Sequence, residues 1–170
     1  RRDFEKNAGS PLVRWGYIVL VFSVLIWFTL KETNNANWNF LWFGIPVVGW
    51  PLSLIRSKSK KKETTTTFIS NMLGNIWIVY GIFATLLATA FAFIKPEFSG
   101  YITAVLLGFA ATMTGIVLKN KYITAGGLIT GIGCTIAIFF VERWDVALLF
   151  GVAAILNLII PGYVMNKKAK

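Results

Sequence analysis

Long apolar runs alternate with short polar segments along the whole chain. The runs contain no Asp, Glu, Lys or Arg apart from Arg14 and Asp145, each of which lies near one end of its run. A helix needs roughly 20 apolar residues to cross about 30 Å of hydrocarbon, and each run comes close to that length. The pattern therefore predicts six transmembrane helices, at residues 11–30, 38–55, 68–94, 98–118, 122–141 and 144–164.

Little of the chain lies outside these runs, so the sequence predicts one transmembrane domain over residues 1–170 and no soluble domain. Of the 170 residues, 56% are hydrophobic and 14% are charged, whereas soluble domains carry about 25% charged residues. The predicted fold is an all-α membrane protein, a bundle of six transmembrane helices arranged as three hairpins.

The basic residues are distributed unevenly between the two sides of the predicted bundle. If the N-terminus is cytoplasmic, the outer segments hold only Lys31, Lys95 and Arg143, and the other 14 of the 17 lysines and arginines lie inside. Cytoplasmic loops carry such an excess, so both termini are predicted to be cytoplasmic. The same bias accounts for the net charge of +10, and nucleic acid is not predicted as a partner.

Five basic residues gather between the second and third runs: Arg56, Lys58, Lys60, Lys61 and Lys62. A basic cluster beside a membrane span attracts anionic lipids. We therefore expect these residues to contact lipid headgroups on the cytoplasmic side of the bilayer.

The second run is interrupted by Pro46 and Pro51. From Trp38 to Trp50 the chain has 13 residues, which as a helix span about 20 Å and cannot cross the bilayer. The second span must therefore continue through both prolines, bent or partly unwound. Such breaks shape helix packing in many membrane proteins, and in transporters they often mark the substrate site.

Polar residues form a stripe along the third span. Asn71, Asn75, Thr85 and Thr89 share one helix face with two isoleucines, and Asn157 is a lone amide within the sixth span. Lipid offers no hydrogen-bond partner at that depth, so these groups are predicted to face protein or water. They are candidates for the lining of a pathway or cavity, together with the two prolines, and interhelical hydrogen bonding is the alternative.

Small residues mark the fourth and fifth spans as closely packed. The fourth has Gly108 and Gly115 on one line, and the fifth has small residues on two faces, which include Gly126, Gly127, Gly131 and Gly133. Small residues let helix backbones approach each other in lipid. The fifth span is therefore predicted to be pressed against the fourth and one other helix.

The residue types that usually carry chemistry are scarce. Histidine is absent, the single cysteine, Cys134, lies in the middle of the fifth span, and no ionisable residue lies deep inside any span. We predict no catalytic residues, no metal site and no cofactor. Glu142 and Asp145 are the only carboxylates placed to act together, and solvated charges at helix ends are the alternative interpretation.

Three short motifs give the chain a resemblance to a known group of proteins: RRDFEKNAG, the IP and GWP of the proline-broken span, and the closing IIPGY with its lysine pair. Over nearly its whole length the chain resembles small uncharacterised multi-span membrane proteins of Bacteroides-type bacteria. The resemblance implies a location in the bacterial inner membrane. It implies no activity, cofactor or functional residues.

These observations favour a non-enzymatic membrane protein that works by association, as an accessory or regulatory subunit or as a homo-oligomer. The alternative is a small passive transporter or channel that uses the broken second span and the polar stripe of the third. A lipid-modifying enzyme that uses the outer carboxylates is a further alternative.

Overall fold

The structure is a computed structural model that describes residues 2–59, 68–141 and 144–168. Within these residues the chain is helical and contains no strand, which confirms the all-helical prediction. The elements are α1 (Arg2–Thr33), a 3₁₀ helix (Ala36–Phe43), α2 (Gly44–Ser59), α3 (Phe68–Ile94), α4 (Pro96–Val117), α5 (Lys121–Ala137), α6 (Val146–Ala154), a π-helical turn (Ile155–Ile159) and α7 (Ile160–Lys168).

Within the described residues, four helical segments are long and apolar enough to cross a membrane: Gly9–Thr33, Asn71–Ile94, Phe98–Val117 and Val146–Lys167. The last of these runs through α6, the π-helical turn and α7 without a break, and we call it the final helical run. Large apolar side chains are exposed on the outside of the bundle, among them Phe93 at 76% and Phe139 at 80%. Such a surface suits a lipid environment and marks the chain as a membrane protein.

The second and fifth predicted spans are shorter as helices than the sequence runs indicate. α5 has 17 residues, which corresponds to about 25 Å. The second run is divided between the eight residues of the 3₁₀ helix and the 16 residues of α2. The described helices therefore include four that are long enough to cross a membrane, whereas the second and fifth runs form shorter elements.

The division of the second run lies beside its first proline. Pro46 occupies the first turn of α2, where backbone N–H groups have no acceptor within the helix, so the lack of an N–H costs nothing there. Pro51 lies inside α2, where a proline removes a hydrogen bond of the helix. Pro46 is half-buried and Pro51 is exposed. Gly44 and Gly49 leave room for two aromatic rings of α1, because a Cβ atom at either position would collide with Phe22 or Trp15.

Two sets of helices make up the bundle. α1 lies antiparallel along the final helical run, with Gly9 against Gly162 at one end and Trp27 beside Asp145 at the other. α4 packs against α3, α5 and α6. The core lies where the two sets meet, and its buried side chains are Val19, Ala104, Leu107, Cys134, Phe150, Ala153, Ala154 and Leu158.

Candidate functional site

The most distinctive polar group in the core is the amide of Asn157. Its side chain is only 2% exposed and lies within the π-helical turn. The amide nitrogen Nδ2 donates one hydrogen bond to Thr130 Oγ1 at 2.6 Å and another to the carbonyl of Ala153 at 2.8 Å. The Asn157–Thr130 bond ties the final helical run to α5 in the middle of the bundle.

A local widening of the helix surrounds this asparagine. In a π-helical turn the backbone bonds reach one residue further than in an α-helix, and such turns often occur at functional sites. On the α5 side, a Cβ atom at Gly126 would make ordinary van der Waals contact with the carbonyl oxygen of Leu156, at 3.6 Å. Gly126 therefore lies beside the turn, with Asn157 Oδ1 at 3.9 Å from the same Cβ position.

Two buried oxygen atoms have no hydrogen-bond partner within the part of the chain that the structure describes: Asn157 Oδ1 and Ser23 Oγ. Ser23 is completely buried on α1 and faces Gly151 of the final helical run. A buried polar atom without a hydrogen-bond partner lowers the stability by about 1–3 kcal/mol. Both oxygen atoms are therefore candidates for accepting a hydrogen bond from a further polar group. Ser23 could not be found from the sequence, because one serine in an apolar run has no periodic signal.

The glycines of α4 and α5 bring these two helices into backbone contact. A Cβ atom at Gly108 would lie 2.6 Å from the backbone nitrogen of Gly131 and 2.8 Å from the carbonyl oxygen of Gly127. Gly115 lies in the same way against Thr124. Gly133, by contrast, is exposed, and a Cβ atom there would have no neighbour within 4 Å.

The polar stripe of α3 lies on the outside of the bundle. Asn71, Asn75 and Thr85 are exposed and Thr89 is half-exposed, so these residues do not line an interior cavity with Asn157. The threonine hydroxyls are satisfied within the helix: Thr85 donates to the carbonyl of Gly81 at 2.8 Å and Thr89 to that of Thr85 at 2.7 Å. The structure therefore separates the predicted lining residues into a buried group and an outward-facing group.

Further polar contacts lie at the end of the bundle where α1 finishes and α6 begins. Trp27 Nε1 donates a hydrogen bond to Asp145 Oδ1 at 2.8 Å, and Trp144 Nε1 donates one to Asn34 Oδ1 at 3.1 Å. These contacts join the C-terminal end of α1 and the residue after it to the two residues just before α6. The carboxylate of Asp145 thus has a structural partner, and its predicted companion Glu142 lies outside the described residues.

Most of the predicted lipid-binding cluster also lies outside what the structure describes. Lys60, Lys61 and Lys62 belong to an undescribed segment, and Arg56 and Lys58 lie in α2. Within residues 2–59, 68–141 and 144–168, no three His, Cys, Asp or Glu side chains gather as metal ligands would. Cys134 is buried in the core.

Comparison with protein-family models, with curated proteins and with solved structures found no match to the chain.

Proposed function

We propose that this protein is a self-associating subunit of the bacterial inner membrane without enzymatic activity. The observation that carries the proposal is the position of α3, which packs on α4, touches the 3₁₀ helix and exposes most of its remaining surface. No residue is buried in its most apolar 18-residue stretch. Lipid tails offer no hydrogen-bond partner to the amides that α3 exposes, so another protein that binds this face would stabilise it.

The packing of the core supports association over transport. A pathway through a single copy needs polar groups along its interior, whereas the stripe of α3 faces outward and the core is filled by apolar and small side chains. The alternative, a small passive transporter, would therefore need several copies with α3 around a shared axis. The interaction of the Asp145 carboxylate with Trp27 does not favour a lipid-modifying enzyme.

Native mass spectrometry of the protein released from lipid nanodiscs tests self-association. We expect dimers or larger homo-oligomers that persist when the ratio of lipid to protein is raised. A protein that is monomeric at every ratio would contradict the proposal. Copurification of a different membrane protein with a monomer would instead favour an accessory subunit.

The same proposal includes six membrane crossings in three hairpins, with both termini cytoplasmic. The bias of basic residues supports the orientation. The 3₁₀ helix is about 16 Å long and α2 about 24 Å, so the two in succession are long enough for the second crossing. In this arrangement the turn after α1 lies outside and the turn between α4 and α5 lies inside.

Cysteine labelling tests this topology, with Cys134→Ala as the background. Glu32→Cys and Lys119→Cys place thiols at two exposed positions, one in the last turn of α1 and one in the turn between α4 and α5. An impermeant thiol reagent should label Glu32→Cys in cells with a permeabilised outer membrane, and Lys119→Cys only after the inner membrane is opened. Labelling of both from the same side would rule out the proposed topology.

A further inference from the structure

The outward face of α3 has the spacing of a coiled-coil seam. Asn71, Asn75, Ile78, Ile82, Thr85 and Thr89 follow one another at alternating intervals of four and three residues. In heptad terms, Asn75, Ile82 and Thr89 take the a positions and Asn71, Ile78 and Thr85 the d positions. We call these six residues the α3 seam.

The fold leaves this seam without a partner. Leu73, Trp77 and Tyr80 face the bundle, since Leu73 is buried and the two aromatic side chains pack against the core. At 100° per residue, the seam points about 150° away from the mean direction of these residues. Ile78 and Ile82, at the centre of the seam, are 61% and 53% exposed. α3 therefore has two opposite faces, and the bundle uses one of them.

Small residues lie beside the seam. Gly74, Gly81 and Ala88 occupy the g positions next to the three a residues. A Cβ atom at Gly74 or Gly81 would have no neighbour within 4 Å, so these glycines serve no contact inside the bundle. On the flank of a seam they would let another helix come close.

Asn75 places an amide that needs a hydrogen-bond partner in the seam. It lies about 10 Å along α3 from Phe68, and among the described residues its exposed amide takes part in no side-chain hydrogen bond. An amide carries both donors and acceptors, so the same amide on a second copy is a complete partner. A buried asparagine at an a position favours one register and one oligomeric state in coiled coils.

We propose, on the basis of the self-association above, that α3 is the homodimer interface of this protein. Two copies pack α3 against α3 in parallel about a two-fold axis along the membrane normal, and Asn75 pairs with Asn75 of the second copy. The helices are parallel because both copies enter the membrane in the same orientation.

A second copy fits the seam better than an unrelated partner does. Every layer is its own complement: asparagine meets asparagine, isoleucine meets isoleucine and threonine meets threonine. α3 contains no Asp, Glu, Lys or Arg over its 27 residues, so it presents no charge that calls for an opposite charge on another protein.

Disulfide cross-linking in native membranes tests the interface, again with Cys134→Ala as the background. Ile82→Cys has a close control in Phe83→Cys, because the two side chains are equally exposed, at 53% and 54%, and lie at the same depth on different faces. A disulfide needs Cα atoms within about 7 Å of each other. We expect rapid dimer formation at position 82 and at least tenfold less at position 83.

Thr89→Cys reports the direction of the helices and leaves the Asn75 amide in place. In a parallel pair position 89 meets itself, whereas in an antiparallel pair it would face the other end of the seam. We expect cross-linked dimers at position 89 as well as at position 82. Cross-linking at 82 without cross-linking at 89 would contradict the parallel arrangement.

The Asn75→Ala variant measures the contribution of the amide. Since Asn75 is exposed in one copy, the substitution should leave the melting temperature of the monomer unchanged and weaken dimerisation roughly three- to twentyfold. Unchanged dimerisation would overturn the role of Asn75. Persistent oligomers without cross-links at 82 or 89 would overturn the α3 interface alone, and a monomer would overturn self-association too.

Discussion

The Gly127→Val variant is expected to lose a large part of its stability, because valine at this position forces α4 and α5 apart. A Cβ atom at Gly127 would collide with the backbone nitrogen of Thr112 and lie 2.7 Å from the carbonyl oxygen of Gly108. Backbone atoms cannot rotate aside as a side chain can. Overpacking of this kind costs about 1–3 kcal/mol, and a branched side chain against backbone belongs at the upper end.

Thermal unfolding in mild detergent, followed by tryptophan fluorescence, measures the effect. Gly133→Val is the matched control, since Gly133 lies on the same helix and a Cβ atom there meets nothing within 4 Å. We expect a clear fall in melting temperature for Gly127→Val and little change for Gly133→Val. Equal effects of the two substitutions would show that the α4–α5 contact differs from the one described here.

The second large effect is expected from Thr130→Val, which removes the oxygen that accepts from Asn157. One N–H of the buried amide then loses its partner, while the bond to the carbonyl of Ala153 remains. Hydrogen bonds between membrane helices contribute about 1 kcal/mol, and an unsatisfied buried N–H can raise the cost further. We expect a loss of about 1–2 kcal/mol in the free energy of unfolding.

A double-mutant cycle with Asn157→Leu separates the hydrogen bond from the packing. Leucine has the branched shape of asparagine and no polar atoms, so it also removes the unpartnered Oδ1. The double variant Thr130→Val with Asn157→Leu should therefore be more stable than Thr130→Val alone. Losses that simply add would mean that the two side chains do not interact in the membrane.

Apolar run length was enough to predict the long helices, but not their internal irregularities. The runs at 68–94 and 98–118 correspond closely to α3 and α4, because nothing within them competes with a regular helix. The 3₁₀ helix and the π-helical turn are changes of one residue in the reach of the backbone hydrogen bonds. Such changes depend on tertiary packing and leave no mark on hydropathy.

Periodicity showed which residues share a face, but not what that face meets. Asn71 to Thr89 form one line in the sequence, and the same line appears on α3 in the structure. Whether it faces the core or the outside depends on the position of α4, which no pattern within α3 contains. The same holds for two glycines of α5. Gly127 lies against the backbone of α4, whereas a Cβ atom at Gly133 would have no neighbour within 4 Å, and the sequence alone does not distinguish them.

The contact between α1 and the final helical run imposes an order on biogenesis. Of the described helices, α1 leaves the ribosome first, and the helix against which it lies at Gly9, Gly16 and Trp27 leaves last. α3, α4 and α5 can pair with sequence neighbours as they are made, because α4 touches both of the others. α1 can pack early against the 3₁₀ helix and α2, but its face toward the final helical run stays uncovered until translation is nearly finished. A truncated product would therefore carry a first helix with one face unpaired.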